Sequence, residues 1–285
     1  MKIRIILICM IFAVLATLNV QAQIIVDGAY ERTDIKEKEP MVLTYVREAD
    51  VMWSKKIWRI IDLREKINQV LYFPTEETDG RNSLINILLE AIENDLVTAY
   101  DARVDDEFKV PMTYEQVKEA FGATTKVERI RNLETGEFED VEVKGEIRST
   151  EVLQYMVKEE WYFDKSNSTM NVRIIGICPI REYYRDEDVA QENAVRTQLF
   201  WIYYPEEQLR KILVNNSVIN SENTAQDLSF DDIFIKRKFN SYVVRESNVY
   251  NNRAISQYLS GRDAIVESDR IEEEIFNYEQ DLWEY

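Results

Sequence analysis

The last fifteen residues of the chain, IEEEIFNYEQDLWEY (271–285), mix carboxylates with large apolar and aromatic side chains. Two carboxylates can act together as general acid and general base, as they do in glycosidases. Such a pair needs two well-separated pKa values, which requires unlike surroundings for the two groups. The carboxylates of this segment have similar neighbours, so we expect a solvated tail or a docking surface rather than catalysis. They are Glu272, Glu273, Glu274, Glu279, Asp281 and Glu284.

Two further acidic stretches could bind a hard cation such as calcium through their oxygens. They are Asp105-Asp106-Glu107 and the run 185–188, which reads RDED. Neither has the alternating spacing of acids, closed by glycine, with which a loop surrounds the ion. We therefore predict solvated surface loops at both places and no metal site.

Histidine is absent from the chain, which removes several reaction classes. A Ser-His-Asp triad, a Cys-His pair and a His-ligated zinc site all need an imidazole. The seven glycines form neither a dinucleotide-binding turn nor a phosphate-binding loop, so we predict no nucleotide chemistry and no cofactor. A carboxylate-dependent glycan hydrolase remains the enzymatic alternative to a non-enzymatic protein.

The start of the chain predicts export. Lys2 and Arg4 precede an apolar run over residues 5–18, and small or apolar residues lead to Ala22, which is typical of a cleaved secretory signal over residues 1–22. The run is too short for a membrane-spanning helix, and no later stretch approaches that length, so we expect no membrane span. Cleavage would leave Cys178 as a single thiol, which we expect to be buried.

The net charge after cleavage is strongly negative, because 33 basic residues would remain beside 53 acidic ones. Such a chain repels phosphate backbones and anionic lipid surfaces, so nucleic acid and membrane surfaces are poor partners. A basic partner fits better. A soluble carrier for a basic peptide or an exported client is a further possibility that rests on charge alone.

The elements that must position these residues begin after an extended leader over 23–45, which we expect to have little core of its own. The pattern over 47–66 predicts a helix with a core stripe that includes Trp53, Ile57 and Ile61. On the same wheel Val51 and Trp58 point well away from that stripe. We therefore predict that these two residues contact a partner.

Helices and hairpins alternate along the rest of the chain. A helix is predicted over 82–93, and capping boxes begin at Thr113 and Ser229. Predicted strands span 125–131, 138–147, 155–164, 170–180, 197–204 and 239–244, with proline at the first position of a helix at 205 and a last helix from 252. Helices at both ends around hairpin-linked strands predict an α+β fold, with a mostly antiparallel sheet and helices from the N-terminal and C-terminal parts packed on it.

The predicted terminal helix has two apolar stripes. Ile271, Ile275, Tyr278, Leu282 and Tyr285 lie near one line, whereas Phe276 and Trp283 lie roughly 100° or more away. A wide groove in the same domain could bury both stripes, or one of them could face another chain. The chain end has its bulkiest residues in its last three positions, and clustered aromatics are typical interface anchors. The predicted interface residues are thus Val51, Trp58, Phe276, Trp283 and Tyr285.

Several long sequence words resemble one known family. They are VREADVMWSKKIWRIIDLREKIN (46–68), SFDDIF (229–234), ESNVY (246–250), GRDAIVESDRI (261–271) and DLWEY (281–285). In this order they resemble the gliding-motility protein family GldN, also called PorN, from about residue 46 to the last residue. Together with the signal over 1–22 and the leader over 23–45, both predicted from the residues themselves, the resemblance adds a GldN/PorN-like domain over 46–285.

The resemblance implies a non-enzymatic periplasmic component of the type IX secretion system, which also serves gliding where that occurs. Members of the family associate with an outer-membrane lipoprotein, GldK/PorK, in a ring at the inner face of the outer membrane. The resemblance therefore implies a GldK/PorK-like partner, nearby GldL/GldM-like motor proteins and self-association within the ring. It implies no catalytic residues.

Overall fold

The computed structural model describes residues 38–78, 80–123, 126–131, 138–143, 145, 147–184, 194–219, 223 and 226–282. Within these residues the helices are α1 (Gln69–Tyr72), α2 (Leu84–Glu93), α3 (Tyr114–Ala120), α4 (Glu207–Asn215), α5 (Phe230–Ile235) and α6 (Arg262–Asp281). The strands are β1 (Val51–Asp62), β2 (Ala99–Asp101), β3 (Pro111–Met112), β4 (Lys126–Arg131), β5 (Phe138–Val143), β6 (Val152–Asp164), β7 (Thr169–Tyr183), β8 (Val195–Gln198), β9 (Phe200–Tyr203), β10 (Ser217–Val218), β11 (Leu228–Ser229) and β12 (Tyr242–Glu246).

An eight-stranded sheet has the order β12-β1-β6-β7-β9-β2-β3, with β8 also paired to β7. The described pairings in this sheet are antiparallel. The long hairpin of β6 and β7 lies at its centre, as the sequence predicted. Helices combined with an antiparallel sheet confirm the predicted α+β class.

Strand β1 occupies the segment for which we predicted a helix over 47–66, and that prediction was wrong. The strand lies between β12 and β6, and its second half, from Ile57, has buried apolar residues on both faces, so only the first half shows the alternation of a half-buried strand. Its apolar residues therefore also fit a helical wheel. The better signal was the abundance of β-branched and aromatic residues at Val51, Trp53, Ile57, Trp58, Ile60 and Ile61.

The two faces of the sheet have separate apolar clusters. The main core lies on one face and includes residues from α2, α4 and α5. The opposite face has a smaller cluster of Trp58, Met156, Cys178, Ile180 and Trp201. The thiol of Cys178 is fully buried, as predicted, and this burial raises its pKa.

A β-bulge in β7 changes which residues share a face. Lys158 pairs with Gly176 and Glu159 with Ile174, so Ile175 has no partner of its own in β6. The bulge places Ile174 in the main core together with Ile177, although simple alternation in the sequence predicted the two on opposite faces.

Local capping signals located the starts of two helices correctly. Both predicted capping boxes are present, at the N-termini of α3 and α5. Gly122 follows α3 with a φ of 72°, a conformation that favours glycine. Helix α4 begins at Glu207 with Glu206 as its N-cap, so Pro205 precedes the cap instead of taking the first helical position.

Other predicted elements differ from the structure in their boundaries or their number. The hairpin of β4 and β5 is confirmed, although its predicted turn lies outside the described residues. The strand predicted over 197–204 divides into β8 and β9. The predicted last helix from 252 begins only at Arg262, after a short 3₁₀ turn at Ile255–Gln257.

Candidate partner interface

Helix α6 packs on the edge of the sheet through a narrow apolar stripe. Ile271 and Ile275 are 0% and 4% exposed, and Tyr278 stacks on Trp53 with ring centroids 4.7 Å apart. The cluster around the two isoleucines includes Ile57, Val243 and Ile255. The inner stripe of the terminal helix is therefore confirmed as an ordinary packing surface.

Ion pairs add to this contact between α6 and β1. The guanidinium of Arg59 lies 2.5 Å from Glu272, and the ammonium of Lys55 lies 3.3 Å from Glu274. Both cations extend from β1, and both carboxylates belong to α6. Part of the acidic character of α6 thus has a structural role.

Arg59 also contacts a buried carboxylate. Glu159 in β6 has a fully buried side chain and lies 3.2 Å from Arg59 and 2.7 Å from Arg237. The indole N–H of Trp161 donates to the same carboxylate at 3.1 Å. Two cations and an indole satisfy this acid, as a buried charge requires. The sequence analysis missed it, although a charged residue inside an apolar strand was a visible signal.

Strand β12 is an edge of the sheet, and α6 covers part of it. The hydroxyl of Ser268, which is 3% exposed, accepts a hydrogen bond of 2.8 Å from the backbone N–H of Val243. An isolated bridge between Arg245 and Ala254 lies along the same strand. Both contacts occupy groups that an uncovered edge would offer to another chain.

The outer face of α6 exposes large apolar side chains. Ile265, Val266 and Phe276 are 64%, 57% and 58% exposed. At 100° per residue they lie about 100° to 160° from the buried stripe, on the same side as Asp269 and Glu273. Phe276, which the sequence analysis assigned to a partner contact, is thus exposed on the described surface. We call these five residues the outer face of α6.

A shallow groove runs along one flank of the same helix. Its volume is about 420 Å³, and its lining includes Glu273, Glu274, Asp281 and Arg270. Arg270 already pairs with Glu267 at 2.7 Å and with Glu274 at 3.3 Å. Glu273 and Asp281 have no ion pair among the described residues. The groove therefore has an excess of negative charge.

Trp58 does not lie on the surface, and its assignment to a partner interface is corrected. The side chain is 1% exposed, because the segment is a strand and places this residue in the smaller cluster of the sheet. Arg245 lies over its ring at 4.0 Å and Lys158 at 5.4 Å. Burial lowers the pKa of both cations.

Asp106 was predicted to be a solvated surface acid, but it holds the two cations above Trp58. Its carboxylate lies 2.5 Å from Arg245, and its backbone carbonyl accepts a hydrogen bond of 2.6 Å from Lys158. Two residues later, Phe108 packs against Trp201 and covers Gly176, where an added Cβ would lie 2.5 Å from the ring. The loop is therefore part of the fold.

The remaining predicted interface residues are not gathered at one place. Val51 is partly exposed at the first position of β1, opposite Asp164. Trp283 and Tyr285 lie outside the described residues. The aromatic contact between β1 and the terminal helix is made by Trp53 and Tyr278, which the sequence analysis placed on core stripes.

The described part of the leader, residues 38–45, lies against the domain without regular secondary structure. Its backbone carbonyls at Met41 and Thr44 accept hydrogen bonds from Arg210 and Arg173. The side chains of Met41, Val42 and Tyr45 are 62%, 87% and 85% exposed. The domain thus binds the main chain of this segment, holds Leu43 partly buried and leaves the side chains of Met41, Val42 and Tyr45 outside.

The described residues give little support for a metal site, a catalytic pair of carboxylates or a membrane-spanning helix. They contain no group of three or more residues suited to hold a metal ion. Burial raises the pKa of Glu206, but its neighbour Glu207 pairs with Lys211 at 2.6 Å, which lowers the pKa of Glu207. In the part of the chain that is described, no helix is both long and apolar enough to cross a bilayer.

Comparison with known proteins agrees with the sequence words that resemble one family. The family model described as gliding motility associated protein GldN matches residues 46–284. No curated protein matches the chain. Because the family model covers most of the chain, the resemblance is confirmed. The chain belongs to the GldN family and is a component of the gliding motility and type IX secretion machinery.

Proposed function

We propose that this chain is a non-enzymatic structural subunit of that machinery and that it works in the periplasm. Residues 1–22 would direct export and be removed, and residues 23–45 would form a leader before the domain of 46–285. The family membership and the signal-like start of the sequence support this proposal.

The subunit would assemble with a GldK/PorK-like lipoprotein into a ring at the inner face of the outer membrane, close to GldL/GldM-like motor proteins. Copies of the chain would also contact one another within the ring. The observation that carries the proposal is the outer face of α6, where Ile265, Val266 and Phe276 are each more than half exposed. Clustered exposed apolar side chains on a folded protein are typical of interaction sites.

Co-purification with the lipoprotein tests this proposal. The chain and a GldK/PorK-like lipoprotein are produced together, and the double variant Ile265→Ala, Phe276→Ala is compared with the unaltered chain. We expect the double variant to retain at most about a tenth of the bound lipoprotein, since apolar anchors contribute most of the free energy of an interface. Its circular dichroism spectrum should not change, because both side chains are exposed.

The matched control is Val249→Ala, which removes a side chain that is 91% exposed outside α6. We expect this variant to bind the lipoprotein as well as the unaltered chain does. If the α6 double variant keeps its lipoprotein, the assigned interface is wrong. If the purified chain hydrolyses a glycan and binds no envelope protein, the structural role is wrong as well.

A further inference from the structure

The outer face of α6 and the adjacent groove have a chemistry that specifies their partner, provided that the proposed interface is correct. Three exposed apolar side chains lie among carboxylates on a helix of 20 residues, which is about 30 Å long. We propose that this surface binds an amphipathic basic helix of a partner protein. Such a helix would bury its apolar side chains against Ile265 and Phe276 and direct lysine or arginine towards the acids.

The charges around α6 support a basic partner. Glu272 and Glu274 are already paired with cations of β1, and the groove's Arg270 is neutralised by its own helix. Asp269 and Glu273 on the outer face have no ion pair among the described residues. Carboxylates that no internal cation neutralises are available for a cation from another molecule, and they favour a partner of opposite charge.

Two copies of this chain do not fit together through α6 on both sides. Two copies meeting through α6 would bring Asp269 and Glu273 of each copy against the acids of the other, and like charges at an interface oppose binding. The whole chain has a formal net charge of −18, which adds to this repulsion. A contact in which α6 of one copy meets α6 of another is therefore disfavoured, and a basic chain is the occupant that these charges favour.

The shape of the surface favours a helix as the ligand. A partner helix packs against apolar residues that are separated by whole helical turns. Ile265 and Phe276 lie three turns apart on one side of α6. An extended strand would instead need backbone groups at a sheet edge, and α6 covers the nearby edge strand β12 through Ser268. The two binding modes are therefore distinguishable by peptide design.

Titration with designed peptides tests the proposal on the complete exported chain. The probe is a peptide of about 18 residues in which leucine and lysine have helical periodicity, long enough to form a helix when bound. One matched peptide has glutamate in place of lysine, and another has the same leucine and lysine content in strict alternation. Binding is measured by fluorescence anisotropy at about 50 mM and about 300 mM salt.

We expect the helical leucine-lysine peptide to bind more tightly than either matched peptide, and to weaken as salt rises. Phe276→Ala and the double variant Asp269→Lys, Glu273→Lys should each weaken this binding by about tenfold or more. The charge-matched control is Glu90→Lys, Glu115→Lys, which reverses two exposed acids on other helices. It should change the affinity by no more than about twofold, because surface charges at a distance are screened.

Three outcomes overturn the proposal. If Glu90→Lys, Glu115→Lys weakens binding as much as the α6 variants do, peptide binding depends only on the overall charge of the protein. If the glutamate peptide binds equally well, the surface does not select a basic ligand. If the alternating peptide binds best, the ligand is a strand.

The peptide titration and the co-purification together distinguish the proposed basic helix from the proposed lipoprotein interface on which it rests. Loss of the lipoprotein in the double variant Ile265→Ala, Phe276→Ala, with no selective peptide binding, would keep the interface and reject the basic helix. If the peptide binds selectively at α6 but those substitutions do not affect lipoprotein binding, the surface does bind a basic helix. That helix then belongs to a protein other than the lipoprotein.

Discussion

Trp58 is stabilised by packing and by two cations. Its indole N–H has no hydrogen-bond partner within the described part of the protein, so the contribution of this side chain comes from its rings. Arg245 and Lys158 lie over that ring and are oriented by Asp106. The residue therefore connects β1 to the loop that contains Asp106.

Replacing this side chain should destabilise the fold rather than an interface. We expect Trp58→Ala to lower the free energy of unfolding by about 3–5 kcal/mol, because it leaves a large cavity and two cations without their aromatic neighbour. Urea denaturation followed by circular dichroism measures the change. Phe276→Ala is the control and should change the free energy of unfolding by at most about 0.5 kcal/mol. A stable Trp58→Ala protein that loses its partners would contradict the assignment of Trp58 to the core.

Asp62 illustrates how a surface ion pair makes stability depend on pH. The guanidinium of Arg64 lies 2.6 Å from its carboxylate and lowers its pKa from 3.8 to about 2, and Gln154 donates a further hydrogen bond of 3.0 Å. A carboxyl group with a lower pKa in the folded state stabilises the protein above its unfolded pKa. This contribution decreases as the pH falls from about 4 towards 2.

The variant Asp62→Asn should remove that dependence. We expect it to lower the free energy of unfolding by about 1 kcal/mol at pH 6, because solvent screens the half-exposed Arg64, with a difference that shrinks as the pH falls towards 3. Urea denaturation at a series of pH values gives the comparison. Glu90→Gln serves as a control, since Glu90 is exposed and has no ion pair among the described residues. A difference that stays constant with pH would show that Asp62 acts through packing alone.

At the scale of elements, the attachment of α6 depends on few contacts. The helix has 20 residues and is held by two buried isoleucines, a stacked pair of rings, two ion pairs to β1 and one hydrogen bond to β12. Elements with few buried apolar contacts open before the rest of a protein does. Opening of α6 would expose the edge of β12.

Removing the Ser268 hydroxyl should loosen this attachment. We expect Ser268→Ala to leave the backbone N–H of Val243 without its acceptor and to lower the local stability by about 1–3 kcal/mol. Hydrogen exchange measured by mass spectrometry should become faster in α6 and β12 but not in the hairpin of β6 and β7. The control Ser256→Ala alters an exposed serine and should have no effect. Unchanged exchange in β12 would contradict the proposed edge contact.

Elements with local signals were predictable from the sequence, and elements defined by distant neighbours were not. Capping residues identified the starts of α3 and α5, and turn residues between apolar runs identified the β6-β7 hairpin. Strand β1 was mistaken for a helix because both faces of its second half are covered, which removes the period of two there. The wrong assignment of Trp58 to an interface followed from that single error. The contacts of Glu159 and Ser268 join residues from 25 to 100 positions apart, which no local pattern reveals.

At the scale of the whole molecule, composition narrowed the classes of function that we considered, and the resemblance of long sequence words identified the family. The absence of histidine, a single cysteine outside the predicted signal and the strong negative charge directed attention away from catalysis and towards partners. The place where a partner would bind depends on which side of α6 the sheet covers. The sequence placed Ile271 and Phe276 on different stripes but left open whether both are buried, and the folded chain has Ile271 buried and Phe276 exposed.

The hydrogen bonds that attach the leader segment over 38–45 to the domain depend little on the types of its residues. Arg210 and Arg173 bind carbonyl oxygens, which every amino acid possesses, whereas Val42 and Tyr45 project outwards. Substitutions of Val42 or Tyr45 therefore change the exposed side chains of this segment without changing its hydrogen bonds to Arg210 and Arg173. The attachment of this segment to the domain should therefore tolerate a change of residue type at positions 42 and 45.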